Sequence, residues 1–351
     1  TIVLSTADAT ANVTLPRGLH ISGRVTRAGG IAVPDAGVTI CAAADRTLCD
    51  FVDSTTTDAS GNYRSTILGP GSYLVEVRAP FPNPDDLLDG WYRGGVSGNY
   101  AARLADAGAI TLTAADATAN VTLPKGIRIV GTIRRAGGAP VEGASVAVCA
   151  VDTASFCDSV ADSGYSGSDG SYRTGIVSPG ASYQLRVREP ADDTTGLIGG
   201  WYGAGGIVRT RLDASLVTMT TGDRRLDLVL PTGIRIGGRV AGPAIETGVA
   251  FASVRVCRVV VTGCQTEEWA TADATGGFLA GPFFPGDFKV RFGAPFDYTT
   301  GLRSGWYRIG GVGGFTAQEE DASVLSLAGD ATANVLLPAG YRISGTIRAD
   351  D

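Results

Sequence analysis

The chain has 351 residues with a formal net charge of −6; charged residues make up only 18% and hydrophobic residues 44%. That hydrophobic share supports packed cores and excludes a disordered linker, and the length accommodates two or three ordinary domains. The basic residues are scattered and almost all Arg, Lys125 and Lys289 being the lysines, so no basic stripe exists to follow a phosphate backbone and nucleic acid is excluded as the expected partner.

The first element is the run Asp8–Pro16, DATANVTLP. It returns ending at Pro124, and in the altered forms DRRLDLVLP ending at Pro231 and DATANVLLP ending at Pro338. Immediately after each run stands an alternating segment: GLHISGRV from Gly18, GIRIVGTI from Gly126, GIRIGGRV from Gly233 and GYRISGTI from Gly340, at intervals of 108, 107 and 107 residues. A period of that size is a whole domain rather than a solenoid unit. The expected organisation is the last strand of a preceding repeat at 1–16, full repeats at 17–124, 125–231 and 232–338, and the first strand of a following repeat at 339–351. The chain then reads as a window on a longer array; alternatively its two ends complete one another, one copy donating a strand to the next. No basic segment followed by an apolar one opens the chain, so no signal peptide is expected, and no run reaches the about 18 apolar residues of a membrane helix.

Between repeats stand Pro-Arg-Gly, Pro-Lys-Gly, Pro-Thr-Gly and Pro-Ala-Gly. Pro cannot donate to a ladder and Gly relieves backbone strain, which suits a strand leaving one sheet and entering the next. Joints this short predict stiffness.

Within the first repeat, period-2 alternation predicts strands at His20–Val25, Val38–Cys41, Tyr63–Ile67, Tyr73–Val77, Ile110–Thr113 and Ala119–Leu123. Tyr73, Val75 and Val77 share one face, as do Tyr183, Leu185 and Val187, and Phe288, Val290 and Phe292. About seven short strands, with turn signals every 8–12 residues and no amphipathic helix, describe an all-β chain: a tandem array of three seven-stranded Ig-like β-sandwich domains.

Six cysteines fall into pairs, Cys41/Cys49, Cys149/Cys157 and Cys257/Cys264, one pair at the same place in each repeat. Even number and fixed placement predict disulfides formed in an oxidising compartment, each stapling a hairpin. The competing reading, zinc, needs four ligands, and each repeat offers two thiols without a histidine.

The other candidates are weaker. His20 is the single histidine, and Arg128, Arg235 and Arg342 stand in its place later, so no triad or histidine metal site can form. Asp58, Asp169 and Asp273 suggest calcium, but Asp58 and Asp273 stand five residues before an aromatic and Asp169 only three, and a ligand set does not slide. The pairs Asp85/Asp86, Asp192/Asp193 and Glu319/Glu320 read as loop charges. Asn12-Val-Thr14 and Asn120-Val-Thr122 fit a glycosylation triplet that the third copy, Asn334-Val-Leu336, lacks. The string Gly-Trp-Tyr recurs as Trp91-Tyr92, Trp201-Tyr202 and Trp306-Tyr307. These aromatics either pack within the sandwich or at a joint, or stack on sugar rings. Trp269 has no counterpart.

The middle of each repeat, TDASGNYRSTILGPGSYLVEV, GSDGSYRTGIVSPGASYQLRV and TADATGGFLAGPFFPGDFKVRF, with the opening Ile-x-Gly-x-Val/Ile, resembles the carboxypeptidase regulatory-like domains. It is also similar to the B-type repeats of Gram-positive surface adhesins. The resemblance implies a transthyretin-like sandwich and says little of function. Adhesin repeats of this type are often locked by a Lys–Asn isopeptide bond; the first repeat holds no lysine, so a bond repeated in every unit is impossible. With no catalytic set, no cofactor and no metal expected, the chain reads as a bacterial, extracellular structural segment of a cell-surface stalk or filament. Its expected partners are neighbouring repeats or other copies of itself. The rival reading is a multivalent adhesin array binding surface polysaccharide through the Trp-Tyr loops.

Overall fold

A computed structural model describes residues 12, 17–44, 47–95, 97–151, 157, 161, 163–243, 248–295, 301–341 and 345–346. The expected strand at 1–16 and most of the one at 339–351 lie outside the described residues. The chain divides into two compact units. The first is Thr1–Ile129 with Gly175–Ser182 and Thr218–Arg224; the second is Val130–Thr174, Tyr183–Val217 and Arg225–Asp351.

The fold is all-β. Among the described residues the only helical turns are three-residue 3-10 segments such as Leu104–Asp106. In the first unit, Ile21–Arg27 is the hub of one sheet. Ala117–Thr118 and Val121–Thr122 run parallel to it, while Ile31–Ala32 and Asn62–Arg64 run antiparallel. The facing sheet has the order Asp50–Thr56, Gly37–Ala42, Gly71–Arg78, Gly90–Tyr92, Tyr100–Ala101, with Ile110–Leu112 also paired to Gly71–Arg78. Alternation dictates the packing. Ile21 and Val25 from one sheet meet Val38, Ile40, Tyr73, Val75 and Val77 from the other in a single core. Each aliphatic chain buried there contributes about 1.5–3 kcal/mol.

The second unit repeats this design. Ile234–Ala241 pairs with Gly277–Phe283 and, in parallel, with Ala331–Thr332 and Val335–Leu336. The facing sheet runs Gly263–Thr271, Ser253–Val260, Gly286–Gly293, Gly305–Tyr307, Phe315–Thr316. Phe278 and Phe292 meet edge to face in its core, ring centroids 5.6 Å apart. The same unit carries most of two further sheets, with Ser145–Ala150 between Gly164–Tyr165 and Ser182–Arg188, and with Ile129–Arg135 parallel to Leu228–Leu230.

Two expected strands come out shorter. Tyr63–Ile67 pairs only over Asn62–Arg64, because the Thr66 amide turns aside to the Asp53 carboxylate (2.7 Å), leaving Ile67 exposed. Ala119–Leu123 is broken around Ala119-Asn120, and the break explains the recurring sequence. The Asn120 side chain accepts the Arg24 amide (2.8 Å), and the Tyr63 hydroxyl donates to the Ala119 carbonyl (2.7 Å). One turn earlier in the ladder the Asp116 carboxylate accepts the His20 amide (3.0 Å). Later copies repeat the carboxylate and amide bonds, and the second repeats the hydroxyl bond, which Phe278 cannot make in the third. Asp223 and Asp330 take the amides of Arg128 and Arg235, and Asp227 and Asn334 those of Thr132 and Arg239. The Tyr172 hydroxyl reaches the Leu226 carbonyl. The Gly of Ile-x-Gly-x-Val is required by the same feature. A Cβ at Gly23, Gly131 or Gly238 would overlap the carbonyl of Ala119, Leu226 or Ala333.

Gly23→Ala should destabilise the chain by about 1–3 kcal/mol through overpacking, and Tyr63→Phe by about 1–2 kcal/mol through the lost buried hydrogen bond. Urea denaturation followed by circular dichroism measures both; a Gly23→Ala midpoint at the wild-type value would contradict the close approach.

Candidate functional site

The two motifs singled out separately, the cysteine pairs and Gly-Trp-Tyr, converge on the outer face of the larger sheet. Cys41 closes Gly37–Ala42, and Cys49 precedes its partner strand Asp50–Thr56. They form a disulfide with Cα atoms 5.2 Å apart. Two strands away, Trp91 lies against it. Cys41, Leu74, Trp91, Ala101 and Ala107 make a small apolar cluster distinct from the sandwich core, with Cys49 packed at its margin. Cys257–Cys264 and Trp306 form the same cluster with Ala322. Cys149–Cys157 is also a disulfide (Cα–Cα 5.1 Å), and Trp201 in that repeat is covered by the Arg211 guanidinium 5.5 Å above its ring. The residue beside the cysteine varies, Leu74, Gln184 or Lys289. Gln184 accepts from Arg211 (2.7 Å), and the Lys289 ammonium donates to the Glu319 carbonyl (2.9 Å).

Exposure separates the two readings of these aromatics. Trp91, Trp201 and Trp306 are only 8%, 7% and 6% exposed. Tyr92, Tyr202 and Tyr307 are half-buried. The indoles are covered: Trp91 and Trp306 pack against the disulfide of their repeat, and Trp201 lies under Arg211. Trp269, on the edge strand Gly263–Thr271, is 60% exposed and lies 5.9 Å from the Arg255 guanidinium, which also covers Trp306.

The joints are the second built feature, and the sequence did not reveal their partner. The Leu88 amide donates to the Pro124 carbonyl (3.0 Å) and Gly126 to Asp86 (2.7 Å), after which Ile127 exchanges a pair of bonds with Val177. Asp86 also pairs with the Arg128 guanidinium. In the second unit Ile198 donates to Pro231, Gly233 to Gly196, Arg303 to Pro338 and Gly340 to Gly301. The Pro-x-Gly segments at 124–126, 231–233 and 338–340 are thus each bonded to the loop before Gly-Trp-Tyr of the preceding repeat. The loop charges serve these loops: Asp85 pairs with Arg27 at 2.6 Å, and Asp193 accepts from Thr195 (2.6 Å) and the Leu197 amide (2.8 Å).

The acidic turns hold their own backbone. Asp58 accepts the amides of Ser60 and Asn62, and Asp273 those of Thr275 and Gly277. Gly167 occupies their place in the second repeat, its amide bonded to Ser171 as those of Asp58 and Asp273 are to Asn62 and Gly277. That is why Asp169 falls two positions late. The Asn62 amide bond holds the Asp58 carboxyl below its ordinary range, and the Thr275 hydroxyl and amide do the same for Asp273. His20 Nδ1 meets the Ser65 carbonyl at 3.0 Å. Among the described residues no three His, Cys, Asp or Glu cluster as a metal site would require.

This architecture defines a β-sandwich repeat pinned by a disulfide beneath a tryptophan. Residues 20–84 match the carboxypeptidase regulatory-like domain. No curated protein matches the sequence. Solved structures similar to the chain include the streptococcal ancillary pilin (10% identity, TM-score 0.34, covering 93% of this chain and 100% of that one). They also include the shaft pilin spaA from Lactobacillus rhamnosus GG (10%, 0.27, covering 62% and 98%) and the Bacillus anthracis TIE protein (9%, 0.25, covering 92% and 50%). The chain spans half the length of the TIE protein. At such identities and scores the likeness does not extend to function.

Two outcomes follow. Replacing Cys41 and Cys49 together by Ala should cost about 2–3 kcal/mol in the chain-entropy account of a short loop, and Trp91→Ala about 3–5 kcal/mol. Because the two groups touch, the triple variant should lose less than the sum, which a double-mutant cycle in urea measures. The Asp58 and Asp273 carboxyls are depressed in the folded chain. Their contribution is therefore present above the ordinary carboxylate value and disappears as pH falls through the folded one. The slope of unfolding midpoint against pH below 4 should flatten in Asp58→Asn/Asp273→Asn.

Proposed function

We propose that the chain is a non-enzymatic structural segment of an extracellular stalk or filament, built from three sandwich domains at 17–124, 125–231 and 232–338. The observation that carries this reading is the parallel pairing of the first strand of a repeat with its last, Ile21–Arg27 with Ala117–Thr118 and Val121–Thr122. Parallel neighbours start at the same end of a sheet, so the chain comes into the sandwich at one pole and leaves at the other. That polarity suits the proposed array, in which one repeat follows another. The backbone bonds from each Pro-x-Gly to the preceding loop favour a joint that transmits load rather than one that swings. Disulfides in all three repeats suit an oxidising exterior, and among the described residues no helix is long and apolar enough to cross a membrane. Other copies of the same chain, through strand exchange or lateral contact, are the partners this reading predicts.

Negative-stain electron microscopy of the native material should show thin fibres or rods with an axial period matching one repeat. Compact globular particles would overturn the proposal. On a glycan array the wild-type chain and Trp91→Phe/Trp201→Phe/Trp306→Phe should give indistinguishable profiles, since the indoles are covered; selective loss in the variant would favour the carbohydrate-binding reading.

A further inference from the structure

A cleft of about 530 Å³ opens on the outer face of the larger sheet of the second repeat, lined by Arg186, Arg188, Arg209, Glu189, Trp201 and the backbone of Gly199-Gly200. Alternation builds it. On the strand Ser182–Arg188, Tyr183, Leu185 and Val187 face the core, so Arg186 and Arg188 project together from the opposite face. The residues opposite them on the neighbouring strand are small, Ala147 and Ser145. On the other side Arg186 stands opposite Trp201. Arg209 completes the wall.

Among the described residues the positive charge here is only partly balanced: three arginines share one lining carboxylate, Glu189. Arg186 is half-buried, and its guanidinium makes no hydrogen bond or ion pair among the described residues. The single carboxylate in the lining, Glu189, accepts the Gly199 amide at 2.7 Å. Arg209 reaches Glu267 only at 3.7 Å, and that carboxylate is bound at 2.6 Å by Arg258. Partial burial and then the Arg188 charge lower the Arg186 guanidinium from its ordinary value, against the pull of Glu189. The first repeat solves the same position differently. Glu76 stands opposite Trp91 and is bridged by Arg78 at 3.2 Å, so charge is balanced internally.

We propose that this cleft is an oxyanion-binding site, taking a carboxylate or phosphate group between Arg186 and Arg188 with Arg209 at its rim. Guanidinium groups present paired donors that match both oxyanions, and the volume fits one sugar-sized group. Adjacent like charges held by a rigid sheet are relieved when an anion enters, so the ligand adds to the single counter-charge that Glu189 supplies. The site lies beside Trp201 without using its covered ring, and it stands whether or not the chain is a stalk.

The full chain, labelled with 15N, is titrated separately with inorganic phosphate and with trigalacturonate, following the amides of Gly199 and Gly200 and the Trp201 indole N–H. Saturable shifts at these three groups are expected with at least one probe, and the tighter of the two identifies the phosphate or carboxylate source. Arg186→Gln should weaken that binding at least tenfold and Arg188→Gln severalfold, whereas Arg103→Gln, in the first repeat, should leave it unchanged. Circular dichroism establishes that each variant is folded. Linear, non-saturating shifts with both probes, or a folded Arg186→Gln that binds within twofold of wild type, would overturn the proposal.

Discussion

Everything distinctive in this chain depends on one interaction, the parallel contact between the first and last strands of a repeat. Parallel neighbours need a long crossover, and here nearly the whole repeat is the crossover: chain from Arg27 to Ala117 winds through the facing sheet before returning. The contact is imperfect as a ladder. It breaks around Ala119-Asn120, and the side chains of Asp116 and Asn120 from the last strand complete it. Those side chains, with the glycine that lets the strands approach, are what recurs every 107 or so residues.

The same contact relates local packing to extension. It brings the chain out at the pole opposite its arrival, and the Pro-x-Gly that follows bonds immediately to the loop ahead of Gly-Trp-Tyr. That loop leads directly into the strand whose Trp covers the disulfide. Joint, loop, indole and disulfide therefore follow one another along the chain and the outer sheet; the indole and disulfide form a cluster apart from the core between the sheets, and the loop is anchored in that core by Leu87. A disulfide placed there ties the outer face of a hairpin whose inner face, at Val38 and Ile40, belongs to the sandwich core.

The outer face is also where the repeats differ most. Core positions hold to aliphatic and aromatic residues in every copy, because close packing penalises a change of volume. Outer positions pair Glu76 with Arg78 in one repeat, place Arg186 beside Arg188 in the next, and set Arg255 against Trp269 and Trp306 in the third. A common frame with a variable outer surface is how a structural repeat acquires a local binding property.

Much was legible in the sequence. Strand alternation from Tyr73 to Val77 follows from the two-residue period of a pleated strand, and the cysteine pairs from their fixed place in each repeat. The period of 107–108 residues follows from simple recurrence. Those properties are local or repetitive, so a linear reading contains them. The roles of Asp116, Asn120, Asp86 and Trp91 are not local: each meets its partner across tens of residues, His20 with Asp116 being 96 apart. A sequence shows that such a residue recurs but not what it faces. Whether an indole covers a disulfide or meets solvent, and whether an arginine finds a carboxylate, was decided only when the sheets folded and fixed which side chains share a face.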